Sequence, residues 1–302
     1  MSYNLITILG PTAVGKTRLS VLLAHHYNGE IISADSRQVY RKMNIGTGKD
    51  YSDYVVDGKI IKYHLIDVAE PAEEFNLYRY KQMFYECFRK ISNTGKIPFL
   101  VGGTGLYLSS IIQDYELKPA DRSIEKLKQL SSLNDDELVK LLRSKKSNLH
   151  NITDLTDRNR ITEAILIADS ELDIMNVEKI VSLNIGVSFP RNIIKERITE
   201  RLKTRLREGM IDEVQALIDN GIEYEKLLFF GLEYKFIAMY LMQEISYNDM
   251  FQKLNSAIHN YAKRQMTWFR KMEKEGVEIF WVDGSDFNAV NKIIENKFFQ
   301  NN

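Results

Sequence analysis

Cysteine occurs once in the 302 residues, at Cys87, which excludes an internal disulfide framework and a zinc site built on several thiolates. Histidine is nearly as scarce, and His25, His26, His64, His150 and His259 show no metal-ligand spacing. Net charge is absent: 41 Lys and Arg balance 41 Asp and Glu, so a strongly basic nucleic-acid coat is excluded, though local basic faces are not. No apolar run approaches the ~18 residues of a membrane span. The amino-terminal MSYNLITILGPTAVGKT has no basic segment before its short apolar run, so it does not read as a signal peptide. Hydrophobic residues make up 44% and charged residues 27%, which is globular rather than disordered. A cytoplasmic monomer with no membrane association is the expectation.

Apolar runs of strand type recur along the chain: LITIL (5–9), EIISA (30–34), IIKYHLIDV (60–68), IPFLVGG (97–103), LNIGVSF (183–189) and EIFWVD (278–283). Helical patterns separate most of them. That alternation predicts an α/β fold, an open parallel sheet flanked by helices with ligands at the carboxyl ends of its strands. From 116 to 180 charge rises and strand signals vanish, so a helical insertion domain is expected there, with LNDDELVKLLRSKK as a helix capped at Asn134 or Asp135. The core would comprise 1–115 and 181–302, with 191–270 mainly helical.

Gly10, Pro11, Thr12, Ala13, Val14, Gly15, Lys16 and Thr17 match G-x-x-x-x-G-K-[ST], between a strand and a helix. This is an ATP-type phosphate loop: its amides and the helix amino terminus converge on phosphate oxygens. Lys16 adds a point charge, and the Thr17 hydroxyl can hold Mg²⁺. The motif specifies a polyphosphate without saying which one.

Ser33 to Tyr40 (SADSRQVY) follows the second apolar run. Asp35 would end a strand beside the one feeding the phosphate loop, where it either caps a helix or accepts a proton from a nucleophile. Val101 to Tyr107 (VGGTGLY) again carries a strand into a helix, with Thr104 supplying a hydroxyl. Asp67 reads equally as a magnesium-shell carboxylate or a cap.

Taken in order, GPTAVGKT, SADSRQVYRKMNIGTGK, YHLID, PFLVGGTGLYL, LNIGVSFPR and AKRQMTWFRK make the chain resemble the tRNA dimethylallyltransferase (tRNA isopentenyltransferase) family, from about Ile6 to Trp281. The resemblance implies a phosphate-loop NTPase-like fold and a prenyltransferase. Such an enzyme moves a dimethylallyl group from dimethylallyl diphosphate to the N6 amine of the adenosine beside the tRNA anticodon, with Mg²⁺ assisting and diphosphate leaving. By matching position, Gly10–Thr17 would hold the diphosphate, with Thr17 toward the metal. Asp35 would be the general base, with Lys16 and Thr104 also catalytic. Asp35, Ser36, Arg37, Gln38 and Thr104 would contact the extruded adenosine, and Arg158, Asn159 and Arg160 the rest of the tRNA.

The chain departs from the family pattern at several points. Glu163 stands where another Arg is usual, Tyr63 replaces a His, Gly48-Lys49-Asp50 replaces Ala-Lys-Pro, and Ile258-His259 replaces Thr-Arg. The insertion carries 11 Lys and Arg against 13 Asp and Glu, net −2, which argues against a generally basic clamp. Between Arg191 and Met210, seven basic residues oppose three Glu. Ile194, Ile198, Leu202 and Leu206 form one stripe of that helix, and Arg197, Arg201 and Arg205 an adjacent one, expected to face tRNA phosphates or solvent. In the AKRQMTWFRK segment, aromatic residues are expected inward and some Arg toward substrate phosphate.

Three rivals share parts of this pattern. An adenylate isopentenyltransferase would use the same loop and Asp35 but need no tRNA-holding insertion. A small-molecule phosphate-loop kinase would use Asp35 on a hydroxyl. A non-catalytic RNA-binding protein would not need intact Lys16, Thr17 and Asp35.

Overall fold

Strand register explains why motifs far apart in sequence become neighbours. In the computed structural model, which describes residues 2–145, 158–170 and 178–300, six parallel strands form one sheet: β1 (Leu5–Leu9), β2 (Gly29–Ala34), β5 (Tyr63–His64), β6 (Ile97–Gly102), β7 (Ser182–Ser188) and β8 (Phe280–Asp283). Their order is β5-β2-β6-β1-β7-β8, and a separate hairpin pairs β3 (Val55–Val56) with β4 (Lys59–Ile60). Leu9 pairs with Gly102 and Gly186, and Gly102 with Ala34. Four strands therefore end abreast, and the loops opening at Gly10, Asp35, Gly103 and Phe189 leave from one edge.

β1 and β2 are buried along their whole length, as a sheet covered on both faces requires. Asp35 does not end the immediate neighbour of β1, because β6 lies between β1 and β2. The two loops meet across Gly102 and Gly103. A Cβ at Gly102 would stand 2.2 Å from the Ala34 carbonyl oxygen, so no larger residue fits between the strands. The 60–68 run gives the six-stranded sheet only Tyr63–His64, because Leu65 and Asp67 adopt positive φ and turn the chain away.

The chain divides into two compact units, 1–114 with 179–302, and 115–178. In the first, α1 (Lys16–His26), α2 (Leu77–Ser92) and α3 (Gly105–Ile112) follow the early strands. The segment after β7 is helical: α7 (Arg191–Arg207), α8 (Met210–Asp219), α9 (Tyr224–Phe229), α10 (Leu232–Leu241) and α11 (Tyr247–Lys274), followed by α12 (Phe287–Ile294) after β8. A second core joins Val39 and Met43 to Ile198, Leu202, Val214, Ile237 and Leu254 from these helices. It holds the helical layer against the loop that follows Asp35.

The second unit contains α4 (Ile124–Ser131), α5 (Asp135–Lys145) and α6 (Arg158–Ala168) around Leu130, Leu138, Leu142, Ile161 and Ile165. Asn134 and Glu137 bond each other's backbone N–H at 3.0 and 2.8 Å, a reciprocal capping box that starts α5.

Candidate functional site

A cavity of about 630 Å³ opens at the carboxyl edge of the sheet. Its floor is the phosphate loop. Gly15 caps α1 with φ +80°, a left-handed conformation that favours glycine, and so turns the chain into the helix. Thr12, Ala13, Gly15, Lys16 and Thr17 line the cavity. The other loop residues serve the scaffold: Val14 is in the core, Gly10 lies against the Val187 carbonyl, and the Pro11 carbonyl accepts from Lys16 Nζ at 2.6 Å.

Lys16 is not alone. Arg201 from α7 donates to the Thr12 hydroxyl, and Arg205, 7% exposed, lines the same wall. Burial first, and then the Arg201 charge, pull the Lys16 ammonium down to about 7, with Asp35 opposing. Burial and Arg205 pull Arg201 down to about 9. Burial also raises the Glu233 carboxyl above its ordinary value, against the pull of Arg205 and Arg201. Cations crowded out of water in this way favour a polyanionic ligand, which relieves their repulsion.

The arginine stripe of α7 therefore faces the cavity. Ile198 and Leu202 are buried in the helical core, and that rotates Arg201 and Arg205 toward the phosphate loop. Arg197 also lines the cavity and stacks on Phe189 at 4.2 Å.

Asp35, Ser36, Arg37 and Gln38 form a further wall. Asp35 Oδ1 accepts from the Arg37 and Gln38 backbone N–H groups at 2.9 and 3.4 Å. One carboxylate oxygen thus caps the turn, and among the described residues Oδ2 has no hydrogen-bond partner. The cap and base readings are compatible on one side chain. Gln38 Nε2 donates to the Gly48 carbonyl at 3.0 Å. Thr104 stands just behind this wall, its hydroxyl accepting from Ser36 N–H at 3.0 Å.

The loop carrying Gly48 is pinned from α8. Glu213 accepts from the N–H groups of Asn44, Ile45 and Gly46 at 2.7, 2.7 and 3.0 Å, and from the Tyr234 hydroxyl at 2.7 Å. Asp67 stands apart from the cavity lining. Its carboxylate takes Lys49 at 2.6 Å and the Tyr51 hydroxyl at 2.5 Å, so it serves to hold this loop.

Helix α11 supplies Ile258, Tyr261, Arg264 and Gln265 to the cavity. Burial raises the Tyr261 hydroxyl above its ordinary value. Trp268 donates to Ser109 Oγ at 2.8 Å and lies against Gly105, and Phe269 is fully buried, so these aromatics are anchors. The roles of Tyr261, Gln265 and Glu233 escape sequence reading. The available signal was the shared helical face of Ile258, Tyr261 and Gln265, three and four residues apart.

Among the described residues, no group of three or more His, Cys, Asp or Glu is poised to hold a metal. The cavity does offer hard oxygen donors, the Thr17 hydroxyl and the carboxylates of Asp35, Asp50 and Asp53. That set suits a magnesium ion held mainly by substrate phosphate and water.

In the second unit, Arg158 is committed to Asp135 at 2.5 Å and to the Leu133 carbonyl at 2.7 Å. Glu163 accepts from Arg122 at 2.7 Å, an ion pair within the unit. Arg160 lies on the same helix, α6. Among the described residues, no helix is long and apolar enough to cross a membrane.

Comparison with known proteins converges on one family. A profile described as IPP transferase matches residues 38–272, and one described as isopentenyl transferase matches residues 3–61. The chain is 47% identical over 302 residues to tRNA dimethylallyltransferase 1 of Azobacteroides pseudotrichonymphae genomovar. CFP2, covering 98% of each. It is 49% identical to tRNA dimethylallyltransferase 1 of Geotalea daltonii, covering 94% of this chain and 92% of the relative. Among solved structures, the tRNA isopentenylpyrophosphate transferase of Bacillus halodurans is 32% identical with a TM-score of 0.68, over 99% of this chain and 96% of that one. A eukaryotic dimethylallyltransferase acting on tRNA shares the fold, with a TM-score of 0.77 at 22% identity, over 99% of this chain and 80% of its own.

Proposed function

Because the chain belongs to the IPP transferase family of tRNA dimethylallyltransferases, we propose that its cavity joins dimethylallyl diphosphate to a tRNA adenosine. It transfers the dimethylallyl group to the N6 amine of the adenosine adjacent to the anticodon and releases diphosphate. The observation that carries this reading is that one cavity is lined by both a cationic phosphate loop and the Asp35–Gln38 loop.

Thr12, Ala13, Gly15, Lys16 and Thr17 hold the diphosphate, joined by Arg201. As the C1–O bond breaks, its electron pair leaves with the diphosphate, and Lys16, Arg201 and the loop amides stabilise the growing charge. Thr17 would hold Mg²⁺, which when bound supplies further neutralisation of that leaving group. The adenine amine is a weak nucleophile because its lone pair is delocalised into the ring. Asp35 Oδ2 accepts the N6 proton as the N6–C1 bond forms, while Oδ1 stays tied to the turn. An adenine stacked in the anticodon loop cannot reach this wall, so it enters extruded, against Ser36, Arg37 and Gln38. Thr104 acts through Ser36. The 158–160 segment meets the tRNA backbone, with Arg158 bracing the start of α6. A tRNA substrate supports a cytoplasmic enzyme.

The test is incubation with labelled dimethylallyl diphosphate, Mg²⁺ and unmodified tRNA, followed by mass spectrometry of the nucleosides. Label on a single adenosine beside the anticodon is expected. Label on free AMP with none on tRNA would assign the chain to the adenylate class, and ATP turnover with a small hydroxyl acceptor to the kinases.

A further inference from the structure

The two walls are joined by one side chain. Gln265 is 6% exposed, and both ends of its amide are used. Oε1 accepts from the Thr12 N–H in the phosphate loop at 2.8 Å. Nε2 donates to the Gly103 carbonyl in the second glycine loop at 2.8 Å. A Cβ at Gly103 would stand 2.3 Å from Nε2, so this loop passes directly over the amide. The next residue, Thr104, accepts from Ser36 N–H at 3.0 Å. An unbroken path thus runs from Thr12 through Gln265, Gly103 and Thr104 to Ser36, the neighbour of Asp35.

This path constrains what the phosphate loop can do. The Thr12 N–H is consumed by α11, so the loop holds its shape at Thr12 before any ligand arrives. The Gly103 carbonyl is tied to the same amide, so a shift of one loop displaces the other. The amide offers a donor and an acceptor on one rigid plane; an ionised carboxylate at this position would meet the Gly103 carbonyl oxygen without a proton.

We propose that Gln265 is a positioning residue that couples the donor and acceptor halves of the site, so that diphosphate and tRNA affinities are energetically linked through it. The proposal rests on the transferase reading above. Linkage requires the effect to be reciprocal, and such coupling is typically ~5-fold or more.

The experiment measures tRNA affinity with and without saturating magnesium diphosphate, in the full-length wild-type protein, Gln265→Glu and Gln265→Met. In wild type, diphosphate should shift the tRNA Kd by about 5-fold or more. Both variants should bring that ratio near one. Each ligand measured alone should change by less than the ratio does, since Gln265 borders the cavity but its polar atoms are spent on Thr12 and Gly103. Single-turnover transfer with both substrates saturating should fall at least ~10-fold. A wild-type ratio and rate in both variants overturns the proposal. So does loss of both single-ligand affinities with the ratio intact, which would make Gln265 only a structural brace. Thr104→Val cuts the same path one link further on, so if the Gln265 variants fail to fold it carries the test. Its ratio should also collapse, and a wild-type ratio there counts against the proposal. Wild-type protein that labels tRNA but shows no ratio refutes the coupling alone, whereas wild-type protein that does not label tRNA refutes the transferase reading.

Discussion

Lys16 and Arg201 bring two positive charges to the same end of the cavity: Lys16 Nζ donates to the Pro11 carbonyl at 2.6 Å, and Arg201 reaches the hydroxyl of the adjacent Thr12. They come from different elements, Lys16 from the start of α1 and Arg201 from α7. Their mutual repulsion is the electrostatic signature of a site awaiting an anion.

That repulsion predicts proton uptake on donor binding. The Lys16 ammonium sits at about 7 without ligand. A diphosphate stabilises the charged form, so binding above that pH should draw in a proton. Titration calorimetry in two buffers of different ionisation heat should show uptake near zero at about pH 6 and approaching one proton at about pH 8.5. Affinity should fall by up to ~10-fold per pH unit above about 7. Lys16→Arg should abolish the uptake; buffer-independent heats in wild type at the higher pH would refute the assignment. The sign for folding is opposite. The folded value lies below the ordinary 10.5, so Lys16 costs stability fully below about 7, and that cost fades as pH rises toward 10.5. Lys16→Met should therefore melt no lower than wild type at neutral pH without ligand.

Asp35→Asn should preserve the turn, since the amide oxygen still accepts from Arg37 and Gln38, but remove the base. Single-turnover transfer should slow by ~10²-fold or more, with tRNA affinity nearly unchanged. A near-wild-type chemical step would leave Asp35 as a cap and transfer its role to water.

Arg201→Gln separates two destinations for the α7 arginines. Facing the cavity, Arg201 should matter to the donor, and diphosphate affinity should drop by ~10-fold or more. The salt dependence of tRNA binding should stay as in wild type. A flattened salt slope with intact diphosphate binding would return the stripe to the tRNA surface.

Glu213→Ala should leave three backbone N–H groups of the 44–46 loop without their acceptor. A loss of ~2–4 kcal/mol is expected from denaturant unfolding, because partly buried donors lose a charged partner. Glu213→Gln should cost less, since one oxygen remains. A loss below about 0.5 kcal/mol for Glu213→Ala would show that water replaces the carboxylate freely.

Much of this protein was written in contiguous stretches. A phosphate grip is made by consecutive backbone groups between a strand and a helix, so Gly10–Thr17 declares it locally. The strand runs ending at Leu9, Ala34 and Gly102 likewise announce a parallel sheet, and the Asn134–Glu137 box announces its helix. Local sequence could not set which strands lie side by side, and so β6 between β1 and β2 was not anticipated. That order is chosen by burial of whole strands. Nor could it say what the α7 arginines face: their four-residue spacing was visible, but their direction follows from which side Ile198 and Leu202 bury. Gln265 and Glu213 lie far along the chain from Thr12 and Asn44. Such pairs form only when the helical layer closes over the strand ends, because a side chain's partner depends on packing that no neighbouring residue specifies.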